Sequence, residues 1–504
     1  MAEAGRERWT SRVHFLFAAI GSAIGLGNIW RFPYITYEYG GGAFLIPWIV
    51  GLIVMGIPWL MMEFGMGHYL QKSAPGVFRG IGKKWEWVGW WPVFVAFLIV
   101  SYYAVVMAWS LRYAISSLTM AWGVGTEGAQ GAGDFFFGTI LQLSDGPGQL
   151  GAPVGLTLLM LAIIWIILYF IMWKGAGTIG KVAIWTVSIP WVLLVIITIR
   201  GLTLPGAVAG LNYYLTPDFS ALGNVEVWFG AFSQIAFTLS LGMAGMFAYG
   251  SYIAKNADIS NNAVITSFSN CATSFFAGFA VFSIVGFIMG ALGIPIEEVS
   301  ASGLGLAFVT LPVGISMIPA GAPIIGFLLF LTLFFLGIDS AFFLAHGGVI
   351  SPLKDKFGLS GKKATLIVCI VGFAVGILYT TKGGLYWLDI IDRANAFYGL
   401  LITGAVASLV VGWKFGANNL REHLNATSDF KVGPWVDWML KIVVPAGLLF
   451  VVIYGGFMKD LASPYEGYPL WAASMIWVSL VVTLILSFVF QSFKTRTPDG
   501  KKEE

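Results

Sequence analysis

Five polar side chains stand inside runs that are otherwise apolar: Asn28, Arg31, Asn270, Asp339 and Asp392. A polar or charged group in such a run is costly unless it is partnered. Asp339 is the most telling, because a carboxylate in mid-helix wants a cation. Asn28 and Asn270 offer amide oxygens, which suit a hard cation such as sodium, although helix–helix hydrogen bonding would also account for them. Two glycine-interrupted stretches add to this set. One is Gly21-Ser22-Ala23-Ile24-Gly25-Leu26-Gly27-Asn28, and the other is Thr238-Leu239-Ser240-Leu241-Gly242-Met243-Ala244-Gly245. Unwound backbone at mid-membrane frees carbonyls for cations and half-helix N-termini for carboxylates. Tight helix packing is the plainer explanation of the glycines. The four His residues include no pair at metal-ligand spacing and no nucleophile motif is present, which argues against a membrane enzyme.

The elements that would position these residues are membrane spans. The chain of 504 residues is 58% hydrophobic and only 11% charged, with mean hydropathy +0.83. That is too little charge to cover a soluble protein of this size. Its 21 Trp and 40 Phe suit rings at a lipid interface, and its 64 Gly suit close helix contacts. Apolar runs of membrane-crossing length fall at about 13–37, 42–69, 88–118, 154–172, 178–200, 227–254, 262–293, 321–350, 364–381, 384–413, 434–457 and 468–493. The stretches 120–153, 202–225 and 294–319 read as external loops, the last with short helices folded back over the site.

Arg6, Arg8, Arg12, Lys72, Arg79, Lys83, Lys84, Lys354, Lys356, Lys362 and Lys363 lie at the N-terminus and in alternate loops, whereas 122–151 carries acids and no Lys or Arg. By the positive-inside rule both termini are cytoplasmic, which requires an even number of spans. Cys271 and Cys369 sit in apolar runs and indicate no disulfide. The Asn425-Ala-Thr sequon falls on the cytoplasmic side of this topology. No cleavable signal, nucleic-acid-binding run or low-complexity tract is visible.

The motifs in these runs resemble the neurotransmitter:sodium symporter family, including its bacterial amino-acid transporters of the leucine-transporter fold. They are Gly25-Leu26-Gly27-Asn28-Ile29-Trp30-Arg31-Phe32-Pro33, Gly40-Gly41-Gly42-Ala43-Phe44, Gly201 through Gly206, Tyr213-Tyr214, Pro217-Asp218-Phe219, Ser233-Gln234 through Leu241, Gly250-Ser251-Tyr252, Asn270 through Ser274, and Asp339-Ser340. The resemblance implies an all-α fold of twelve transmembrane helices, with five plus five in inverted repeat (13–200 and 227–413). Two more helices follow at 434–493, and helices 1 and 6 are unwound at mid-membrane. The whole would be one transporter domain, 1–493, with a cytoplasmic tail, 494–504, in the plasma membrane.

The resemblance also implies the site. One sodium would lie among Ala23, Asn28, Thr238 and Asn270 with the substrate carboxylate, and a second among Gly21, Ile24, Leu336, Asp339 and Ser340. The substrate carboxylate would meet the amides of Leu26 and Gly27 and the Tyr103 hydroxyl. Its amine would meet carbonyls near Ala23, Phe237, Thr238 and Ser240, and its side chain would meet Ile99, Tyr103, Phe237, Ser240, Met243, Ser340 and Leu344. Monoamine carriers of the family have Asp where this chain has Gly25, so the ligand here must bring its own acid.

Arg31 and Asp392 match an external gate with Phe237 as its lid; a static ion pair is the alternative. Arg6 and Trp9 match an inner gate. Counting from Ser340, its acid is expected where Lys354 stands, and Asp355 is one residue late. Gly180 and Pro190 in the fifth span would allow either unwinding or a static kink.

Ser274, four residues after Asn270, stands where chloride-independent members have Glu. Gln234, Thr238, Asn270 and Ser274 are therefore expected to hold chloride, although Trp48 replaces the family's Tyr. The expected function is sodium-coupled symport of a small hydrophobic amino acid, with two sodium ions, chloride and surrounding lipid as partners. A transport-dead sensor of the same fold and a carrier of another acid-bearing zwitterion such as taurine are the alternatives.

Overall fold

The computed structural model describes residues 6–299 and 303–496, and these contain helices and no β-strand. Ser11 caps the first helix, α1 (Arg12–Ala23), by accepting from the His14 amide at 3.2 Å. The helix stops where Ile24 and Gly25 turn extended. A 3₁₀ turn at Leu26–Asn28 follows, and then α2 (Arg31–Glu38). The two arms are bent by 61° and together are long enough for one span.

Four continuous spans come next: α3 (Gly42–Leu70), α4 (Lys83–Ser117), α5 (Gly155–Met172) and α6 (Ala176–Leu202). α6 runs unbroken through Gly180 and Pro190. The expected sixth span is two short helices, α7 (Val225–Thr238) and α8 (Gly245–Ser251). The link between them cannot be helical, because Ser240 (φ 52°), Gly242 (φ 68°) and Ala244 (φ 60°) are all left-handed.

The remainder is α9 (Ile259–Leu292), a short apolar helix α10 (Leu306–Met317), α11 (Ala322–Phe357), α12 (Gly361–Thr380), α13 (Gly384–Thr427), α14 (Trp435–Gly467) and α15 (Leu470–Ser492). Ten helices among the described residues are thus long and apolar enough to cross a membrane, or eleven with the bent α1–α2 pair. The expectation of twelve differs because neither α7 nor α8 is long enough alone. The run expected at 384–413 extends to Thr427, and Asn425 of the sequon bonds the Val432 amide and carbonyl rather than facing outward.

The helices are not equally buried. In the most apolar stretch of α4 and of α11, 78% is packed inside the protein, against 33% for α5 and 22% for α15. α4 and α11 therefore form the interior, and α5 and α15 face outward. Where α3 meets α8 the backbones nearly touch. A Cβ on Gly67 would strike the Phe247 carbonyl, and one on Gly250 would strike the Phe64 carbonyl. This close contact fixes the half-helix α8 against an unbroken span.

Candidate functional site

The two interrupted helices meet at mid-bundle. In the first, the Gly25 amide donates to Asn28 Oδ1 at 2.9 Å, which closes the 3₁₀ turn on the side chain that follows it. Asn28 Nδ2 then donates to Asn270 Oδ1 at 2.9 Å and to Ser274 Oγ at 2.7 Å. Asn270 Nδ2 in turn donates to Thr238 Oγ1 at 3.1 Å, at the last residue of α7. Three of the four residues expected around the first sodium are thus directly bonded, and Ala23 ends α1 beside them, 3% exposed.

The link between α7 and α8 is held from two sides. Gly242 N donates to Glu63 Oε1 of α3 at 2.8 Å, and Thr403 of α13 donates to the Gly242 carbonyl at 3.1 Å. A Cβ at Gly242 would lie 2.6 Å from the Leu400 carbonyl, so only glycine fits this left-handed position.

Asp339 of α11 is fully buried. One oxygen accepts from Thr186 of α6 at 2.7 Å, and the other has no protein partner. That bare oxygen faces α1, where a Cβ on Gly21 would be 3.1 Å from it. Ile24 and Leu336 are buried nearby on the same two helices, 1% and 3% exposed. A buried carboxylate oxygen without a donor, beside the end of a helix, suits a cation. The residues present therefore suit the second sodium.

Between these clusters and the far end of the bundle lies a cavity of about 920 Å³. Ala23, Gly25, Gly27, Ile99, Tyr103, Phe237, Thr238, Ser240, Met243, Ser340 and Leu344 line it, as do Arg31 and Asp392. Of the expected substrate residues only Leu26 is walled off, and its amide donates to Tyr103 Oη at 3.2 Å. Gly25 is tightly enclosed: a Cβ there would lie 2.7 Å from Ser340 Oγ and 3.1 Å from Tyr103 Oη. Ser240 Oγ donates to the Ser22 carbonyl at 2.8 Å and ties the two breaks together.

Arg31 and Asp392 both line the cavity, but no ion pair joins them. Arg31 instead donates to Gln234 Oε1 at 2.7 Å and Ser233 Oγ at 3.2 Å, with its guanidinium 4.5 Å from the Phe237 ring centre. Asp392 accepts from Tyr102 Oη at 2.5 Å. With its oxygen engaged by Arg31, Gln234 leaves Nε2 buried and without a protein partner, as is the Trp48 indole N–H. Each is a buried N–H donor of the kind an anion satisfies.

At the opposite end the chain is closed. Arg6 pairs with Asp355 and donates to Ser251 Oγ at 2.7 Å. Asp355 is fixed in turn by the Ser73 amide at 2.9 Å and the Ser73 hydroxyl at 2.7 Å. Trp9 donates from its ring nitrogen to the Tyr249 carbonyl at 3.1 Å. The acid is Asp355 rather than the residue at position 354 because Phe343–Ile350, between Ser340 and Asp355, is wound as π-helix. The wider winding absorbs one extra residue, so the side chain that faces Arg6 comes one later than an α-helical count gives.

Sequence reading missed Glu63, Thr186 and Tyr102. Glu63 was within reach, since it is a carboxylate in an apolar run just as Asp339 is. Thr186 and Tyr102 carry no such signal.

Comparison with known proteins gives this arrangement its context. The model of the sodium:neurotransmitter symporter family matches residues 6–130 and 124–497. The chain belongs to the sodium:neurotransmitter symporter family. Within that family it is 42% identical to an uncharacterized sodium-dependent transporter of Methanocaldococcus jannaschii, over 97% of this chain and 98% of the relative. It is 32% identical to the sodium- and chloride-dependent GABA transporter 2 of Rattus norvegicus, over 99% of this chain and 88% of the relative. It is 31% identical to the human sodium- and chloride-dependent creatine transporter 1, over 95% and 82%. This symporter-family protein is accordingly a sodium-dependent transporter and a multi-pass membrane protein, not an enzyme.

Proposed function

We propose that the protein is a sodium-coupled symporter of a small, acid-bearing amine, with a hydrophobic amino acid as the favoured substrate. The observation that carries this is the enclosure of Gly25. With Ser340 Oγ and Tyr103 Oη within contact distance of any Cβ there, the protein has no room for an acid of its own at that point. The ligand must supply it, against the polar edge formed by Asn28, Thr238 and Tyr103. The rest of the lining, Ile99, Phe237, Met243 and Leu344, favours an aliphatic or aromatic side chain.

Under this reading the first sodium sits with Ala23, Asn28, Thr238, Asn270 and the substrate carboxylate. The second sits with Asp339, Ser340 and the carbonyls of Gly21, Ile24 and Leu336. Chloride sits among Gln234, Thr238, Asn270 and Ser274, with the free Trp48 N–H as a further donor in place of a tyrosine. The α7–α8 pair counts as one span and α1–α2 as another, which gives twelve spans, two inverted five-helix repeats and cytoplasmic termini. Arg31 and Asp392 close over Phe237 when substrate is held, and Arg6, Trp9 and Asp355 close the cytoplasmic end. The conformation described above is then open to the outside.

A second reading concerns the substrate only. GABA and creatine, named in two relatives, carry an acid and a basic nitrogen further apart than an α-amino acid does. The cavity volume of about 920 Å³ would accept such a zwitterion, or taurine, equally well.

Purified protein in proteoliposomes with an inward sodium gradient, offered a panel of amino acids, GABA, creatine and taurine, tests both readings. Gradient-dependent accumulation of one of them is the expected result. Binding of a ligand with no accumulation under any gradient would instead make the protein a sensor. Sodium and substrate share an ion site, so each must tighten the other's binding by the same factor. Substrate affinity unchanged when potassium replaces sodium would refute the shared site.

A further inference from the structure

The residue after Arg6 is Glu7, and it is engaged as closely as its neighbour. Its carboxylate pairs with Lys354, lies 3.5 Å from His346 Nε2, and accepts from the Ala176 amide at 3.1 Å. Ala176 is the first residue of α6, so the carboxylate sits on that helix's N-terminus. The fit is tight: Gly175 is left-handed (φ 79°), and a Cβ there would lie 2.7 Å from the Glu7 carboxylate. Burial pushes the Glu7 carboxyl up, but His346, Lys354 and the Ala176 amide outweigh it and hold the group at about 2. The side chain is therefore ionised at neutral pH.

Two adjacent residues of opposite charge, Arg6 and Glu7, thus face two adjacent residues of opposite charge, Asp355 and Lys354. The pairs cross-match. Slipping by one position would set Arg6 against Lys354 in one direction, and Arg6 against Lys356 with Glu7 against Asp355 in the other, so the arrangement rejects the wrong register as well as favouring the right one. The two pairs also reach different elements. Arg6 ties the N-terminal segment to α8 through Ser251, and Glu7 ties it to the start of α6. Further along, α6 holds Asp339 through Thr186.

We propose that Glu7 and Lys354 are the second half of the inner latch. On this view the latch is a double ionic lock, and Glu7 clamps α6 so that release of the N-terminal segment and loosening of α6 occur together. This inference rests on the reading of Arg6 and Asp355 as an inner gate. Glu7 is a positioning residue in it, not a ligand of sodium or substrate.

The test uses a single reporter cysteine. Thr266 is buried on α9, one turn beyond Asn262, which accepts from Arg12 at the start of α1 at 2.9 Å. Thr266→Cys in a Cys271→Ser, Cys369→Ser background therefore reports when α1 leaves α9. Its maleimide labelling rate is read on the full chain in detergent with sodium, with retained sodium-dependent thermal stabilisation as the check on folding. Glu7→Gln and Lys354→Gln should each raise the rate about tenfold, whereas Lys354→Arg should stay near the parent. The Glu7→Gln, Lys354→Gln double variant should be no faster than Glu7→Gln alone, because Glu7→Gln already breaks the pair that Lys354→Gln breaks.

If Asp355→Asn speeds labelling and Glu7→Gln does not, the second pair is no part of the latch and the gate reading stands alone. Rates that multiply in the double variant would also overturn the proposal, since the two residues would then act separately. If Asp355→Asn has no effect either, the gate reading falls and takes this inference with it.

Discussion

Asp339 offers the sharpest test of the sodium reading. One of its oxygens is held by Thr186 at 2.7 Å, and the other is bare against Gly21 in a fully buried site. Asp339→Asn keeps the shape and the Thr186 contact and removes only the charge. A full charge pair at roughly 2.4 Å and an effective dielectric of about 20 is worth about 7 kcal/mol gross. Desolvation of the ion and carboxylate returns several kcal/mol of that. A net loss of about 2.7 kcal/mol, or roughly 100-fold in sodium affinity, is the working figure.

The assay is thermal unfolding in detergent against sodium concentration, with potassium keeping the ionic strength constant. Sodium at 100 times its dissociation constant stabilises by about 2.7 kcal/mol per site, and a 100-fold weaker site retains only about 0.4 kcal/mol. The variant should lose most of this site's sodium-dependent shift. Without sodium it should be no less stable than the parent, because a buried charge has been removed. An unchanged sodium shift would refute the assignment. So would a large loss of stability without sodium, which would make Asp339 a purely structural partner of Thr186.

The other predictions are briefer. Replacing chloride with gluconate should slow uptake, and Ser274→Glu should restore it, because the carboxylate would stand beside Asn28 Nδ2, now 2.7 Å from Ser274 Oγ; wild-type uptake indifferent to chloride would exclude the anion site. Arg31→Ala should cut transport at least tenfold with folding retained, since in this conformation Arg31 rests on Gln234 and Ser233 and is free to re-pair with Asp392; normal uptake would leave it a structural residue. An amine without an acid, such as tyramine, should not be carried. Glu7 is held at about 2 against an ordinary 4.5, so its contribution to inner closure is complete above the ordinary value and lost only as pH falls from there toward 2. The ratio of the Glu7→Gln labelling rate to the wild-type rate should therefore be flat between about pH 6 and 8, because the thiol's own pH dependence is common to both. A ratio that fades toward one in that range would show that Glu7 is not held ionised.

The sequence by itself determined the class of protein, because hydropathy is a local property and each apolar run can be read without its neighbours. It also marked Asn28, Asn270 and Asp339, since a polar group in an apolar run is conspicuous wherever it ends up. The order of the motifs identified the family for the same reason: each motif is contiguous. What the sequence could not supply was pairing. Thr186 is an ordinary residue until α6 lies against α11 and its hydroxyl reaches Asp339, 153 positions away. Whether Lys354 or Asp355 faces Arg6 depends on the winding of Phe343–Ile350, and residue types do not reveal a π-helical turn. Once that turn is in place both residues find partners, one with Arg6 and the other with Glu7. The partners of Arg31 and Asp392 are also a tertiary matter. Arg31 and Asp392 are complementary in charge, yet here each is bonded elsewhere, Arg31 to Gln234 and Ser233 and Asp392 to Tyr102.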